Sequence, residues 1–334
     1  MSAITFDAPW LIFLGSAKDN LHAKTGHGLV DWRRENCLGQ LRYPGCGADL
    51  KLPDMSPAEA GAAGARSLII GVAPVGGALQ PEWTQTLLEA MEAGLDIVSG
   101  MHMALSSVPA LADAAKQRGR KLVDIRRPPP GIPAASGRKR GGKRLAMVGT
   151  DCAVGKKYTA LAIHRAMREK GMNATFRATG QTGIMIAGGG MPVDAVVCDF
   201  LSGAAELLSP DNDPDHWDVI EGQGSLFHPA YAAVTLGLLH GSQPDAMVLC
   251  HQAGRVSVED YPDFPIPPLP ECIRRYEEAA ALTNPDARMI GVSINTMGLN
   301  ETQRAEVLER ATRETGLPCV DPITSGVEAL LGRL

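Results

Sequence analysis

The sequence has 334 residues, more than one hydrophobic core usually organises, so we expect two domains. Hydrophobic residues make up 45% and charged residues 21%, which excludes a disordered chain, and the net charge of −5 leaves no basic field for a nucleic acid. No stretch reaches the roughly 20 apolar residues of a membrane span, and no signal-peptide pattern is present, so we expect a cytoplasmic protein without a membrane partner.

The N-terminal third alternates short apolar runs with helix-like stretches. In chain order, strands are predicted at residues 10–14, 67–72, 96–98 and 121–125, and helices at 82–93 and 108–118. The alternation is typical of a parallel sheet covered by helices, so residues 1–125 are predicted to form a Rossmann-like domain, although no Gly-x-Gly-x-x-Gly turn marks a dinucleotide site. The polar, glycine-bearing segments 24–28 and 32–34 are predicted to face an interdomain cleft or to form plain surface loops.

Residues 126–143 contain a proline run followed by glycine, serine and basic residues, and are predicted to be an interdomain linker. The alternation then repeats in residues 144–334, with strands predicted at 144–148, 194–198, 219–220, 246–250 and 289–294. Each of these strands ends in polar or glycine-rich residues, and the ligands of doubly wound sheets lie beyond the carboxyl ends of strands. The sequence therefore predicts an α/β protein whose second domain is a doubly wound, P-loop NTPase-like sheet.

The seven cysteines are scattered, odd in number and without a Cys-x-x-Cys pair, so neither a zinc site nor a disulfide framework is predicted. Cys198 and Cys250 lie in apolar runs, where we expect a free thiol to pack as a small hydrophobe. A reducing compartment suits such cysteines.

The apolar residues 144–148 run into a glycine loop and then into a helix predicted at 157–170. This order aims backbone N–H groups and a helix N-terminus at an anion, and Lys156 adds a positive charge. The predicted phosphate-binding residues are Gly149, Thr150, Asp151, Cys152, Ala153, Val154, Gly155, Lys156, Lys157, Tyr158 and Thr159.

The loop departs from the general pattern in two ways. Five residues rather than four separate Gly149 from Gly155, and the loop resembles the longer one of the dethiobiotin synthetase group. Lys157 stands where magnesium-dependent NTPases place a metal-binding hydroxyl, and Thr159 follows two residues later. A second cation suits phosphate binding better than metal-assisted phosphoryl transfer, so no metal is predicted unless Thr159 reaches one.

Other polar positions are candidate site residues. Glu221 begins a Glu-Gly-Gln-Gly strand end that resembles the same group, and it could hold Mg²⁺, act as a general base, bind an amine or only cap a turn. His228 and His251 could converge nearby or be structural histidines. Arg177 could pair with a carboxylate or phosphate, in a glycine- and hydroxyl-rich segment, 176–190, predicted to be a binding loop or a flexible surface loop.

Together these motifs resemble the DgcN family along essentially the whole chain. The resemblance rests on Ala-Lys24-Thr, Gly-Leu-Asp96-Ile-Val-Ser-Gly-Met-His102, the loop Gly149–Thr159, Phe-Arg177-Ala-Thr-Gly-Gln-Thr-Gly-Ile-Met, His216-Trp-Asp-Val-Ile-Glu-Gly-Gln-Gly-Ser-Leu-Phe-His228 and Leu-Leu-His240-Gly-Ser-Gln-Pro-Asp. It implies D-glutamate N-acetyltransferase activity, with acetyl-CoA as co-substrate and D-glutamate as acceptor, in D-amino-acid catabolism. No catalytic residue is carried over from the family.

Acetyl transfer needs a base for the ammonium, donors for the oxyanion and a cation for the substrate carboxylates. We assign Glu221 or His228 as the base, with His251 behind them. The substrate-binding candidates are Arg177, Gln181, Gly222, Gln223 and Gly224, of which the glycine segment supplies N–H groups to the oxyanion. An acyl-enzyme on Cys152 stays open beside direct transfer.

Two other classes of function stay open on the sequence. An ATP- and Mg²⁺-dependent ligase or kinase acting on a small carboxylate would use Thr159 and Glu221 as metal ligands. A nucleotide-binding module without chemistry would bind its ligand and consume nothing. In each case the partner is a small molecule, and we expect a homo-oligomer.

Overall fold

The structure, a computed structural model, describes residues 6–20, 22–72, 74 and 77–334. The strands in this part of the chain are β1 (Trp10–Gly15), β2 (Cys37–Arg42), β3 (Ser67–Ile70), β4 (Asp96–Ser99), β5 (Leu122–Asp124), β6 (Lys143–Gly149), β7 (Ala174–Arg177), β8 (Trp217–Ile220), β9 (Ala246–Gln252), β10 (Ser257–Val258), β11 (Tyr261–Pro265), β12 (Arg288–Asn295) and β13 (Cys319–Val320). The helices are α1 (Lys24–Arg33), α2 (Pro57–Ala62), α3 (Trp83–Glu92), α4 (Pro109–Arg118), α5 (Lys156–Glu169), α6 (Gln181–Ala187), α7 (Leu201–Leu208), α8 (Ala232–Ser242), α9 (Leu269–Ala281), α10 (Glu301–Thr315) and α11 (Glu328–Leu331).

The chain divides into two compact units. The first runs to Arg127 and also includes Gln181–Ala195, and it contains a parallel sheet of order β2-β1-β3-β4-β5. All six residues of β1 are buried, as expected for a strand inside a parallel sheet that helices cover on both faces. The predicted Rossmann-like sheet is therefore confirmed.

The second unit comprises Pro128–Gly180 and Val196–Leu334. Its six-stranded sheet has the order β13-β12-β9-β6-β8-β7 and is parallel throughout, and β10 and β11 form a separate antiparallel pair. Strand β6 lies between β9 and β8, so the loop after it opens in the middle of the carboxyl edge. The predicted doubly wound second domain is confirmed.

Between Arg127 and β6 the chain forms no helix or strand, all of it lying within the described residues. Three of its basic residues pair with acids of the six-stranded unit, namely Arg138 with Asp211 at 2.9 Å, Lys139 with Asp245 at 2.7 Å and Arg140 with Glu206 at 3.6 Å. The end of this connection is therefore fastened to the six-stranded unit. Along the described residues, no helix has the length and apolar character to cross a membrane.

Two predictions of secondary structure were wrong in the second half of the chain. Residues 194–198 form no strand, because the segment supplies only short 3-10 turns, and Cys198 is exposed rather than packed. Residues 176–190 are not a loop either, since they contain the end of β7 and helix α6, which buries Ile184 and Met185. Cys250 is buried, as predicted.

The plain surface loops predicted at 24–28 and 32–34 are wrong, since helix α1 contains residues 24–33, and the alternative that these segments face an interdomain cleft stays a prediction. Glycine costs about 1 kcal/mol of helix propensity relative to alanine, which hides the helix in the sequence. A Cβ on Gly26 would lie 3.0 Å from Leu50 and 3.2 Å from Ile12, so the glycine allows close packing of the helix on the sheet. Tertiary packing has overridden the local propensity here.

Candidate functional site

The loop after β6 has the geometry of an anion cradle. Ala153 and Gly155 have positive φ angles of 55° and 102°, and helix α5 begins at Lys156. Successive N–H groups in such a turn point inward, toward the helix N-terminus. The ammonium of Lys156 donates to the carbonyl of Asp151 at 2.7 Å, and burial lowers the pKa of Lys156 although Cys152 and other acidic groups oppose the shift.

Asp151 stabilises the loop through the hydrogen bonds of its carboxylate. Its carboxylate accepts the N–H of Cys152 at 2.6 Å, the N–H of Glu259 at 2.8 Å and Nη1 of Arg255 at 2.7 Å. Asp151 is fully buried, and Arg255 neutralises its charge. The carboxylate therefore stabilises the loop and binds only the N–H group of Cys152 among those of the loop Gly149–Gly155.

The hydroxyl of Thr159 is directed into the protein. It donates to the carbonyl of Gly155 at 3.1 Å and lies 2.7 Å from Oγ of Ser293, and Thr159 has no exposed surface. Lys157 occupies the preceding position, with its ammonium 4.9 Å from the centroid of the Tyr158 ring. The residue that follows Lys156 therefore offers no hydroxyl that could bind magnesium.

His251 lies beside the loop. It belongs to β9, and its Nδ1 is 2.9 Å from Oγ1 of Thr150. Burial lowers the pKa of His251 to about 4, and the neighbouring cation Arg255 contributes in the same direction. The ring is therefore neutral at neutral pH.

His228 also lies beside the loop. Only 4% of the residue is exposed, and a ring nitrogen lies within 4.8 Å of both a carboxylate oxygen of Asp151 and Sγ of Cys152. Burial lowers the pKa of His228 and Lys156 adds to this, while Asp151 and Asp260 oppose it. The structure thus brings His228 and His251 to the same loop.

Glu221 follows β8, next to the loop. Its Oε2 accepts the N–H groups of Thr179 at 2.9 Å and Gly180 at 3.1 Å, and its backbone carbonyl accepts Oγ1 of Thr179 at 2.8 Å. A Cβ on Gly222 would lie 1.8 Å from the carbonyl oxygen of Met147, so only glycine fits there. The hydrogen bonds join this strand end to the segment after β7, and Gly222 lets it lie close against β6.

The segment after Glu221 offers donors. Across the described chain, no acceptor is found for the N–H groups of Gly222, Gln223 and Gly224. Gly222 and Gly224 are buried, and a buried N–H without an acceptor is unfavourable unless a ligand or water supplies one. The segment is therefore suited to bind an oxyanion.

Two predicted substrate-binding residues have other hydrogen-bond partners. Nε of Arg177 donates to the buried carboxylate of Asp218 at 2.7 Å, although Arg177 pairs in the sheet with Ile220, so its guanidinium extends back toward the amino end of β8. Binding a substrate carboxylate would require Arg177 to leave this ion pair. Gln181 belongs to the five-stranded unit, where its Nε2 donates to Oγ1 of Thr25 at 3.4 Å. Both assignments stay predictions.

Sequence reasoning missed two residues that support the loop. Arg255 lies three residues beyond the end of β9, in a segment without a motif. Tyr276 donates from its hydroxyl to the carbonyl of Gly149 at 2.7 Å and accepts the N–H of Leu226 at 3.1 Å. Tyr276 lies in α9, far away in sequence from both, and no local pattern indicates the contact.

Comparisons with known proteins match both units. Two family models fit the chain, a P-loop domain of unknown function, DUF1611_C, over residues 133–331 and a Rossmann-like domain of unknown function, DUF1611_N, over residues 42–128. The chain is 48% identical over 328 residues to a D-glutamate N-acetyltransferase of Tritonibacter scottomollicae and 45% identical over 326 residues to one of a Pseudoalteromonas species, with 98% of both chains covered in each case.

A solved structure is similar over the same length. The crystal structure of a DUF1611 family protein from Anabaena variabilis is 34% identical and has a TM-score of 0.90, covering 98% of this chain and 99% of that one. The resemblance to D-glutamate N-acetyltransferases that the motifs indicate is confirmed by the curated relatives.

Proposed function

The chain belongs to the DUF1611 family, and from that premise we propose that it transfers an acetyl group from acetyl-CoA to the amino group of D-glutamate. The observation that carries the proposal is the similarity, over 98% of the chain, to two proteins named D-glutamate N-acetyltransferase. We further propose that the reaction belongs to the breakdown of D-glutamate in the cytoplasm. The absence of disulfides among the seven cysteines, all of which lie within the described residues, suits a reducing compartment.

We propose that the loop Gly149–Gly155 binds phosphates of acetyl-CoA. Coenzyme A carries a diphosphate and a 3′-phosphate, and the loop offers converging N–H groups, the N-terminus of the 14-residue helix α5 and the ammonium of Lys156. The inward hydroxyl of Thr159 supports binding without magnesium-assisted cleavage. This role needs no hydrolysis of the bound nucleotide.

In the transfer step the C–S bond of the thioester breaks and a C–N bond to the amine forms. The ammonium loses one proton before attack and one as the tetrahedral intermediate collapses, and the departing CoA thiolate takes up one of them. We propose Glu221 as the base, because its carboxylate is fixed at a strand end beside the N–H groups of Gly222–Gly224. Those N–H groups would stabilise the oxyanion. His251, neutral beside the loop, is the second candidate.

We propose direct transfer rather than an acyl-enzyme. Cys152 lies within the loop that we assign to the phosphates, and we expect the acetyl end of the donor to lie elsewhere. Direct transfer predicts that the protein releases no CoA from acetyl-CoA until an amine acceptor is added. A stoichiometric release of CoA without acceptor, with an acetyl group found on the Cys152 peptide, would instead support the acyl-enzyme.

The activity is tested by incubating the protein with acetyl-CoA and either D- or L-glutamate and following CoA thiol release and the acetylated product. We expect N-acetyl-D-glutamate and little product from the L-enantiomer. Parallel reactions contain ATP and Mg²⁺ without acetyl-CoA. Consumption of ATP there, with no acetyl transfer in the first reactions, would overturn the proposal in favour of a ligase or kinase.

A further inference from the structure

His228 has a fixed hydrogen-bonding arrangement. Its Nδ1 accepts the backbone N–H of Ala230 at 3.1 Å, and a backbone N–H can only donate. A neutral imidazole has one N–H and one acceptor nitrogen, so when Nδ1 accepts, the proton must lie on Nε2. In this arrangement His228 is a hydrogen-bond donor and has no lone pair left to remove a proton from a substrate.

The ring is held rigidly at the loop. Its centroid is 4.5 Å from that of Tyr231 and 5.1 Å from that of Tyr261, the latter in an edge-to-face contact. In the described part of the chain, no acceptor is found for Nε2, and Nε2 does not belong to the fully buried polar atoms that lack a partner. Nε2 can therefore donate its hydrogen bond to an incoming ligand.

Charges of both signs act on the ring. Asp151 has the largest effect of them on the pKa of His228 and is paired with Arg255, and the cation Lys156 comes next. Asp260 is the other acidic group that acts on the ring, and it affects the pKa of His228 less than burial, Asp151 or Lys156 does. Burial keeps the ring neutral, so it can donate its Nε2 proton without adding a charge to the site.

We infer that His228 donates a hydrogen bond from Nε2 to a phosphate oxygen of the acyl donor held in the loop, and that it is a donor-binding residue rather than the base. The inference rests on the proposed function, since it assigns a third element to the phosphate site, beside the loop N–H groups and Lys156. It also narrows the choice of base to Glu221 and His251.

The same side chains could be considered as a metal site, because ligand atoms of Asp151, Cys152 and His228 lie within 4.8 Å of one another. Both oxygens of Asp151 already accept hydrogen bonds, one of them from Arg255, and neither nitrogen of His228 has a lone pair to offer. A cation would also lie near the ammonium of Lys156. The arrangement therefore favours an anion over a metal ion.

The test compares two thioesters, acetyl-CoA and S-acetyl-N-acetylcysteamine, which keeps the acetyl end of the donor and lacks its phosphates. For His228→Phe we expect the ratio of kcat/KM for acetyl-CoA to that for the truncated thioester to fall about 10–150-fold, the loss of one hydrogen bond to a charged group. His228→Asn, whose amide can still donate, should recover part of the ratio.

Lys156→Ala is the matched control and should lower the same ratio. An equal loss with both thioesters, together with loss of the acidic limb of the pH profile, would make His228 the base and overturn the inference.

A binding measurement separates this inference from the proposed function. Calorimetry with adenosine 3′,5′-bisphosphate, which carries donor phosphates and no thioester, should give an affinity for His228→Phe about 10–150-fold below that of the wild type. Thermal unfolding of each variant checks that the fold is kept, and His228→Asn serves if the phenylalanine variant does not fold. Equal affinities would overturn the inference even if acetyl transfer is observed. Weaker binding by the variant would support it even if the wild type acetylates neither glutamate enantiomer.

Discussion

The two ends of the six-stranded sheet use buried charge differently. At the amino end, Asp218 accepts Nε of Arg177 and also the amide of Asn212, at 2.7 Å and 3.2 Å. Arg144, with no exposed surface, donates from its two terminal nitrogens to backbone carbonyls at 2.9–3.4 Å, those of Arg140, Gly141, Gly142, Ser209 and Pro210. At this end the charged groups bind one another and the backbone, and Nε of Arg144 is a buried donor without a partner in the described residues.

At the carboxyl end the charges are compensated too, but donors are left over. Asp151 is paired with Arg255 and Lys156 is bound to the loop, while the N–H groups of Gly222–Gly224 have no acceptor in the described residues. Unused donors inside a protein are costly, and they are retained where a ligand satisfies them. We therefore assign the amino-end charges to stability and the carboxyl-end donors to binding and catalysis.

The largest effect should follow from removing the base at the carboxyl end. Glu221→Gln should lower kcat about 10²–10⁴-fold while changing the affinity for acetyl-CoA little, because general-base catalysis contributes about that factor. Glutamine is nearly isosteric and keeps an oxygen for the N–H groups of Thr179 and Gly180. Steady-state kinetics and calorimetry measure the two quantities. A kcat within about threefold of wild type would make this carboxylate structural and would move the search to His251.

The amino end should respond in the opposite way. Asp218→Asn removes the buried partner of Arg177 and should lower the free energy of unfolding by about 3–5 kcal/mol, with kcat of the folded protein nearly unchanged. Urea unfolding measures the loss, and Glu309→Gln is the control, because the exposed pair of Glu309 and Arg313 should contribute only about 0.3–0.5 kcal/mol. A stable Asp218→Asn protein with impaired substrate binding would mean that Arg177 serves the substrate after all.

The sequence predicted the buried centre of each sheet and missed three of the four edge strands, β2, β7 and β13. Strands β1, β6, β9 and β12 are covered on both faces, so they appear as continuous apolar runs. Strands β2 and β7 are edge strands with polar or half-exposed residues, and short edges of that kind resemble loops in a sequence. Neither amino-acid composition nor hydrophobic periodicity indicates these edge strands.

The candidate site was predictable only where it is local in sequence. The loop, Glu221 and the two histidines stand at strand ends, so the order of apolar and polar residues indicates them. The pairing of Asp151 with Arg255 and the contact of Tyr276 with Gly149 join residues 104 and 127 positions apart. The position of the proton on His228 depends on the backbone of Ala230, which only the three-dimensional structure supplies.

A smaller effect is expected from the loop lysine. Lys156→Ala removes a charge-assisted contact to the donor phosphates and should weaken CoA binding by about 1.5–3 kcal/mol while the fold is kept. Lys157→Ala is the control, and we expect a smaller loss because Lys157 is only half-buried, with its ammonium over the Tyr158 ring. Calorimetry with CoA measures both. An unchanged affinity of Lys156→Ala would remove the loop from the phosphate site.

The stability of the carboxyl end should depend on pH through His251. Its pKa in the folded protein is about 4, below the ordinary value of 6.5, so between these pH values the unfolded chain binds the proton and the folded one does not. Stability should therefore be fully present above about pH 6.5 and fall toward pH 4, by up to about 1.4 kcal/mol per pH unit. Replacing His251 by Asn should flatten this slope in urea unfolding experiments, and an equal slope in both proteins would contradict the prediction.

The smallest expected effect is that of metal removal, for which we predict no change. Acetyl transfer should continue in excess EDTA and without ATP, because Lys157 occupies the position of a metal-binding hydroxyl and the hydroxyl of Thr159 is bound to Gly155 and Ser293 inside the protein. The measurement is the initial rate before and after chelation, with the apo protein then titrated with Mg²⁺. If chelation abolished transfer and Mg²⁺ restored it, Thr159 would have to turn toward the loop and Glu221 would become a metal ligand. The carboxyl end would then be organised around a cation, as a ligase or kinase requires, and the donors assigned above to an anion would need another partner.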